Sequence, residues 1–139
     1  DQDGYKWRFT GIYGEPSSDK KDKTWKLLRI LNQQLNLPWL CAGDFNEVLY
    51  GHEKKGGTPR SQRSMESFRM ALAECGLHDL DYFGDKYTWR NNSHEARFYI
   101  KERLDRVVAT REWCACFPSY QVMNGDLRHS DHKPVTISI

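Results

Sequence analysis

No apolar run in this chain approaches the roughly 20 residues that span a bilayer, so nothing in its 139 residues reads as a membrane segment. Residues 1–8 have neither a basic start nor an apolar stretch, which excludes reading them as a secretory signal. Cysteine is scarce: Cys41, Cys75, Cys114 and Cys116 lack the paired spacing of a zinc site and fall in regular elements. They read as reduced thiols, which implies an intracellular setting, cytoplasmic or nuclear. Strong charge of one sign is lacking too. A formal net charge of +2 does not by itself mark a nucleic-acid-binding chain. Internal repeats, low-complexity tracts and linkers are absent, and the length fits one domain with its own core. A soluble globular domain is what remains.

The richest stretch is Leu40 to Val48. An apolar run after Pro38 reads as a buried strand that ends abruptly at Gly43, Asp44, Phe45 and Asn46. Alternation puts Asp44 and Asn46 on one face and Phe45 on the other. Open α/β sheets carry their chemistry at the carboxyl ends of their strands. The same four residues also read as a strand followed by an Asx-type turn.

Around this stretch the periodicities predict an order of elements. A strand over 6–13, rich in aromatic residues, ends at Gly14 to Pro16. Ser18 or Asp19 is placed to cap a helix whose apolar stripe is Trp25, Leu28, Leu31 and Leu35, with Leu27 beside it, and which stops before Pro38. Strand, helix and strand make a βαβ unit with parallel strands, so Tyr13 and Asp44 should share one end of the sheet. A tyrosine closing a strand is also an ordinary packing residue. Residues 51–63 read as a Gly- and Lys/Arg-rich loop, either solvated surface or, through Arg60 and Arg63, a phosphate contact. A helix begins at Ser64, buries Met65, Phe68, Leu72 and Cys75, and stops at Gly76. Residues 77–89 read as a turn region with Asp79 and Asp81 as turn residues, followed by a strand over 87–90. After a polar turn over 91–95 come one longer strand over 98–109, a short helix over 111–117, and strands over 120–123 and 134–139.

Three short patterns stand in order: Gly43-Asp44-Phe45-Asn46, Arg103-Leu104-Asp105-Arg106 and Ser130-Asp131-His132. Each is weak alone. Together they offer what phosphodiester hydrolysis needs: carboxylates for a hard divalent ion, an Asp to orient a His and favour its protonated form, and an amide to aim a water.

With Thr10-Gly11-Ile12-Tyr13-Gly14, Gly43-Asp44-Phe45-Asn46-Glu47-Val48, Pro59-Arg60-Ser61, Phe68-Arg69, Cys75-Gly76-Leu77, Thr88-Trp89, Glu102-Arg103-Leu104-Asp105-Arg106 and Ser130-Asp131-His132-Lys133-Pro134, the chain resembles the endonuclease/exonuclease/phosphatase superfamily. The resemblance runs from Phe9 to the end and is closest to the endonuclease domains of plant LINE-type (non-LTR) retrotransposons. It implies a layered α/β sandwich and metal-dependent phosphodiester hydrolysis, with Mg²⁺ or Mn²⁺ as cofactor, DNA as partner and a reverse transcriptase domain in the same polyprotein. It implies that Tyr13 contacts the scissile phosphate, Asp44 is the general acid or base, and Asn46 orients the nucleophilic water. Asp105 supports His132, which contacts the phosphate, and Asp131 sits beside the metal with Asp44.

One part of the resembled pattern is not found. The family carries an Asn and a metal-binding Glu in an initial strand and helix, and residues 1–8 contain neither that layer nor any Glu. The expectation is a partial domain, 1–139, the carboxyl-terminal portion of an endonuclease domain. It should be weakly active or inactive alone and prone to self-associate through exposed apolar surface or an unpaired edge. Two alternatives stand beside a DNA endonuclease: a non-catalytic remnant that binds nucleic acid or a partner, and a superfamily phosphatase.

Overall fold

The computed structural model describes residue 4 and residues 6–125 and 131–139. Its frame is the βαβ unit. Strand β1 (Arg8–Tyr13) leads through a 3-10 turn (Ser18–Lys20) into α1 (Lys21–Gln34) and back to β2 (Trp39–Asp44). The two strands are parallel, with Tyr13 opposite Asp44. A 3-10 turn (Gly51–Glu53), β3 (Lys54–Lys55) and α2 (Gln62–Glu74) follow, then β4 (His78–Asp79), β5 (Phe83–Gly84), β6 (Trp89–Arg90), a 3-10 turn (Ala96–Phe98), β7 (Lys101–Glu102), β8 (Asp105–Ala109), α3 (Arg111–Cys116), β9 (Gln121–Asn124) and β10 (Val135–Ser138). The main sheet has the order β1-β2-β8-β4, flanked by β10-β9-β5 and β3-β7-β6.

Layering follows from alternation in strands buried on both faces. Cys41 of β2 and Val108 of β8 point toward α1 and α2, joining Trp25, Leu28, Phe45, Phe68 and Leu72. Leu40, Val107 and Ala109 point the other way, onto Trp113 of α3 and Val122 of β9. Trp25 stacks on Phe68 at 4.6 Å between ring centroids, and Phe45 lies 5.3 Å from Phe68. Each such aromatic, taken from water, stabilises the fold by about 2–3 kcal/mol. Phe45 therefore pins the chain between Asp44 and Asn46 to the helical layer.

Several expectations need correction. Ser18 and Asp19 lie inside the 3-10 turn and do not cap α1, whose N-cap is Lys20 with no side-chain bond. Leu27 and Leu35 are each 54% exposed, so the buried stripe is narrower than the leucine pattern implies. α2 starts at Gln62, because Ser61 is the cap and accepts from Ser64 N at 3.2 Å. Its end is as expected: Gly76 takes a positive φ of 66°, and Leu77 N–H returns to Leu72 O at 2.9 Å. The region 77–89 contains two short strands, and Asp79 is a strand residue within an ion-pair network.

The largest correction concerns 98–109, which is not one strand. β7 and β8 lie in different sheets. At the join the Thr88 hydroxyl accepts from Leu104 N at 3.0 Å and Asp105 N at 2.9 Å. Arg103 N–H donates to Glu53 O at 2.9 Å, and Phe45 N–H to Leu104 O at 2.9 Å. These bonds, from residues distant in sequence, bend the chain from one sheet to the other.

Beneath the bend lies a buried charge cluster. Glu53 receives Arg106 at 2.8 Å and Arg103 at 3.1 Å, and both arginines also reach Asp79, at 3.1 and 2.7 Å. Burial pushes the Glu53 pKa upward, but the hydrogen bond and charge of Arg106, the Leu49 N–H and Arg103 outweigh it, so the pKa falls below its ordinary 4.5. A carboxylate depressed in the folded state stabilises the fold above its unfolded pKa and loses that contribution as pH falls through the folded value. The urea midpoint should thus be insensitive to this group near neutrality and fall below about pH 4.5. Glu53→Gln should flatten that acid limb; an unchanged limb would assign it to other carboxylates.

No helix among the described residues is long and apolar enough to cross a membrane.

Candidate active site

The site forms where β1 and β2 end together. Asp44 closes β2 opposite Tyr13, and β8 brings Asp105 opposite Asp44 on the other side. His132 reaches the same place through an isolated bridge between its backbone and Trp89. His132 Nδ1 lies 2.8 Å from Asp105 Oδ2, and Nε2 lies 3.7 Å from Asp44 Oδ2. The first is a hydrogen bond, the second an ion-pair distance. Burial opposes protonation of His132, yet the bond to Asp105 and the charges of Asp105, Asp44 and Asp131 outweigh it and raise its pKa. The imidazole is thereby biased toward its charged form.

Asp44 leaves the strand in a turn that it stabilises itself. Its Oδ1 accepts from Asn46 N at 2.8 Å, while Asn46 Nδ2 donates to Gly14 O at 2.7 Å. Asn46 has a φ of 54°, so the strand alternation stops at Phe45 and a left-handed residue follows. The Asx-turn reading and the functional reading thus describe the same residues. Gly14 permits the close approach: a Cβ there would sit 2.3 Å from Phe45 O. Burial raises the Asp44 pKa, as does the charge of Asp105, against the Asn46 N–H, His132 and Lys21, which lower it; the net shift is upward.

Asp44, Asp105 and His132 offer ligand atoms that all lie within 4.8 Å of one another. Asp105 and His132 spend one oxygen and Nδ1 on each other. What the cluster has left is rich in carboxylate oxygen, the donor chemistry of a hard divalent ion rather than a soft one.

Tyr13 is 80% exposed at the end of β1, beside Asp44. Asp131 is exposed, its backbone carbonyl takes Arg90 N–H at 3.1 Å, and its carboxylate is outside the three-residue ligand group. Ser130 lies outside the described residues. Arg60 is not a solvated loop arginine: its guanidinium grips Glu102 at 2.7 and 3.1 Å and lies 3.6 Å from Glu47. Arg63 is exposed in the first turn of α2. Sequence reasoning passed over Lys21, buried against Asn46 and Glu47, and gave Thr88 of Thr88-Trp89 no role, although its hydroxyl holds the backbone at Leu104 and Asp105. Glu47 sits in the quoted motif, but nothing local says that it is wholly buried.

The fold is an α/β sandwich of the endonuclease/exonuclease/phosphatase type. Among solved structures, the chain is similar to the endonuclease domain of TRAS1, a telomere-specific non-LTR retrotransposon, with a TM-score of 0.67 and 19% identity over 93% of this chain and 54% of that one. It is similar to the 3'-5' exonuclease NExo from Neisseria meningitidis, with a TM-score of 0.70 and 18% identity over 94% and 60% of the two chains. An endonuclease/exonuclease/phosphatase family protein from Bacteroides thetaiotaomicron matches with a TM-score of 0.50 and 20% identity over 93% and 48%. The chain thus spans 54–60% of the TRAS1 and Neisseria structures. No protein-family model and no curated protein sequence matches it.

Proposed function

We propose that this chain is part of a divalent-metal-dependent phosphodiesterase acting on DNA, the nicking endonuclease of a non-LTR retrotransposon polyprotein that also carries a reverse transcriptase. The observation that carries the reading is the convergence of Asp105, His132 and Asp44 where parallel β1 and β2 end. A hydrogen-bonded imidazole biased toward its charged form suits a non-bridging phosphate oxygen, and Asp105 fixes its orientation. Asp44, with its pKa raised, is suited to take the proton of the attacking water, which Asn46 helps to orient. Water oxygen then bonds to phosphorus, its proton passes to Asp44, and the bond to the leaving sugar oxygen breaks. That oxygen takes a proton from solvent and becomes a hydroxyl, the end from which a reverse transcriptase could prime, and Asp44 returns its own proton to solvent. Tyr13 meets the phosphate from the exposed end of β1. Asp44, with Asp105 of the same ligand group, would hold Mg²⁺ or Mn²⁺, and Asp131, outside that group, would sit beside the ion, which would neutralise charge developing on the phosphate.

The test is nicking of supercoiled plasmid in Mg²⁺ and Mn²⁺, by the chain and by a version extended upstream. Nicking that EDTA abolishes is the expected outcome, with the extended version at least several hundredfold faster, because charge stabilisation and positioning are worth several kcal/mol and about 1.4 kcal/mol is tenfold. Release of phosphate from a 3'-phosphorylated hairpin without nicking would instead favour the phosphatase reading. Metal-independent binding without turnover by either version would favour the remnant.

A further inference from the structure

Lys21 occupies an improbable place. It is the first residue of α1, where the helix dipole disfavours a cation, and it is 4% exposed although lysines are almost never fully buried unless paired. Local helix preference does not account for it. The tertiary structure does: its ammonium donates to the backbone carbonyl of Asn46 and lies 3.8 Å from Glu47 Oε2. Asn46 is the only non-glycine residue with positive φ among those described, and its N–H and side-chain amide are already held by Asp44 and Gly14. Lys21 closes the third side. Glu47 in turn binds the Ser64 hydroxyl and faces Arg60, which holds Glu102 at the end of β7, three residues before Asp105.

We propose that Lys21 is a positioning residue: its buried ammonium locks the left-handed Asn46 turn and, through Glu47, Arg60 and Glu102, ties the turn that carries Asp44 to the segment that carries Asp105. Lys21 acts through Asn46 rather than on substrate. Without it a part-buried carbonyl loses its donor, and the turn is free to relax. Misplacement of a reacting group by about 1 Å costs on the order of a hundredfold in rate. The effect on rate rests on the hydrolytic reading above; the effect on the turn does not.

The experiment uses labelled protein and NMR beside kinetics. In the wild-type chain a scalar coupling across the hydrogen bond should join Lys21 Nζ to the Asn46 carbonyl carbon, a measurement that needs no variant. Lys21→Met keeps the apolar stem. It should speed Asn46 amide exchange by about tenfold or more while the Val108 amide, in the centre of the sheet, keeps its protection. It should also cut kcat about thirty- to a hundredfold with KM within about threefold, and Lys21→Arg should recover part of the loss. Lys26→Met, on the exposed face of α1, should change none of these. The absence of the coupling overturns the proposal. So does Asn46 exchange in Lys21→Met at the wild-type rate, or a loss of activity that merely follows the folded fraction. If the wild-type and upstream-extended proteins hydrolyse nothing in any divalent metal, the hydrolytic reading fails, while the coupling and the exchange still decide the role of Lys21.

Discussion

Asp44→Asn should reduce metal-dependent nicking by about a hundred- to ten-thousandfold, the range spanned by loss of general acid-base catalysis, and should leave the fold as stable as before or more so. The two halves have one cause. Asp44 lies half-buried beside Asp105, and burial followed by that neighbouring charge raises its pKa in the folded state. A carboxylate whose folded pKa is raised works against folding wherever it is ionised, so at neutral pH the charge costs stability. Asparagine keeps the oxygen that accepts from Asn46 N–H, and it removes the repulsion with Asp105. Its amide has no basicity with which to take a proton from water. Initial nicking rates at saturating metal, paired with thermal melting at pH 7, check both halves. Activity within threefold of wild type would move the base elsewhere, and a melting point lowered by several degrees would mean that the charge holds the site together.

Arg106→Leu should lower the free energy of unfolding by about 3–5 kcal/mol, the cost of removing one partner from a buried ion pair. Arg106 has a fully buried side chain and pairs Glu53 and Asp79 at once. Leucine fills part of the volume but leaves the charge of Glu53, itself nearly inaccessible, facing Arg103, with the Leu49 N–H as a neutral donor. Domain stabilities lie at about 5–15 kcal/mol, so the loss is a large share of the total. Urea denaturation followed by circular dichroism measures it. A double change, Arg106→Leu with Glu53→Leu, should recover much of the loss, since apolar replacement of a whole buried pair is often tolerated. A loss under about 1 kcal/mol for the single change would mean that water reaches the cluster.

These predictions fall on both sides of what the amino-acid order alone conveys. The β1-α1-β2 unit, the parallel strands that put Tyr13 and Asp44 at one end of the sheet, the core face of α2 and the glycine stop at Gly76 were all readable. Each is a local consequence of side-chain period, chain reversal or backbone freedom. The ordered set Asp44, Asp105 and His132 was readable as residue types suited to phosphodiester chemistry. Their contact came only from the resemblance, which pairs Asp105 with His132: the two stand 27 residues apart, and no periodicity encodes a 2.8 Å hydrogen bond between them.

Only the tertiary structure decided the rest. It split 98–109 between two sheets, because the Thr88 hydroxyl and the Glu53 carbonyl capture the backbone at 103–105. It set Arg60, in a loop that read as solvated surface or phosphate contact, on Glu102, 42 residues away. It also made Lys21, which nothing in the sequence singles out, the donor to the Asn46 carbonyl. Apolar patterning speaks through neighbours three, four or two residues away, and so it survives in the sequence. A buried charge is set by the one opposite charge or carbonyl that folding brings to it, and that partner is distant in the chain.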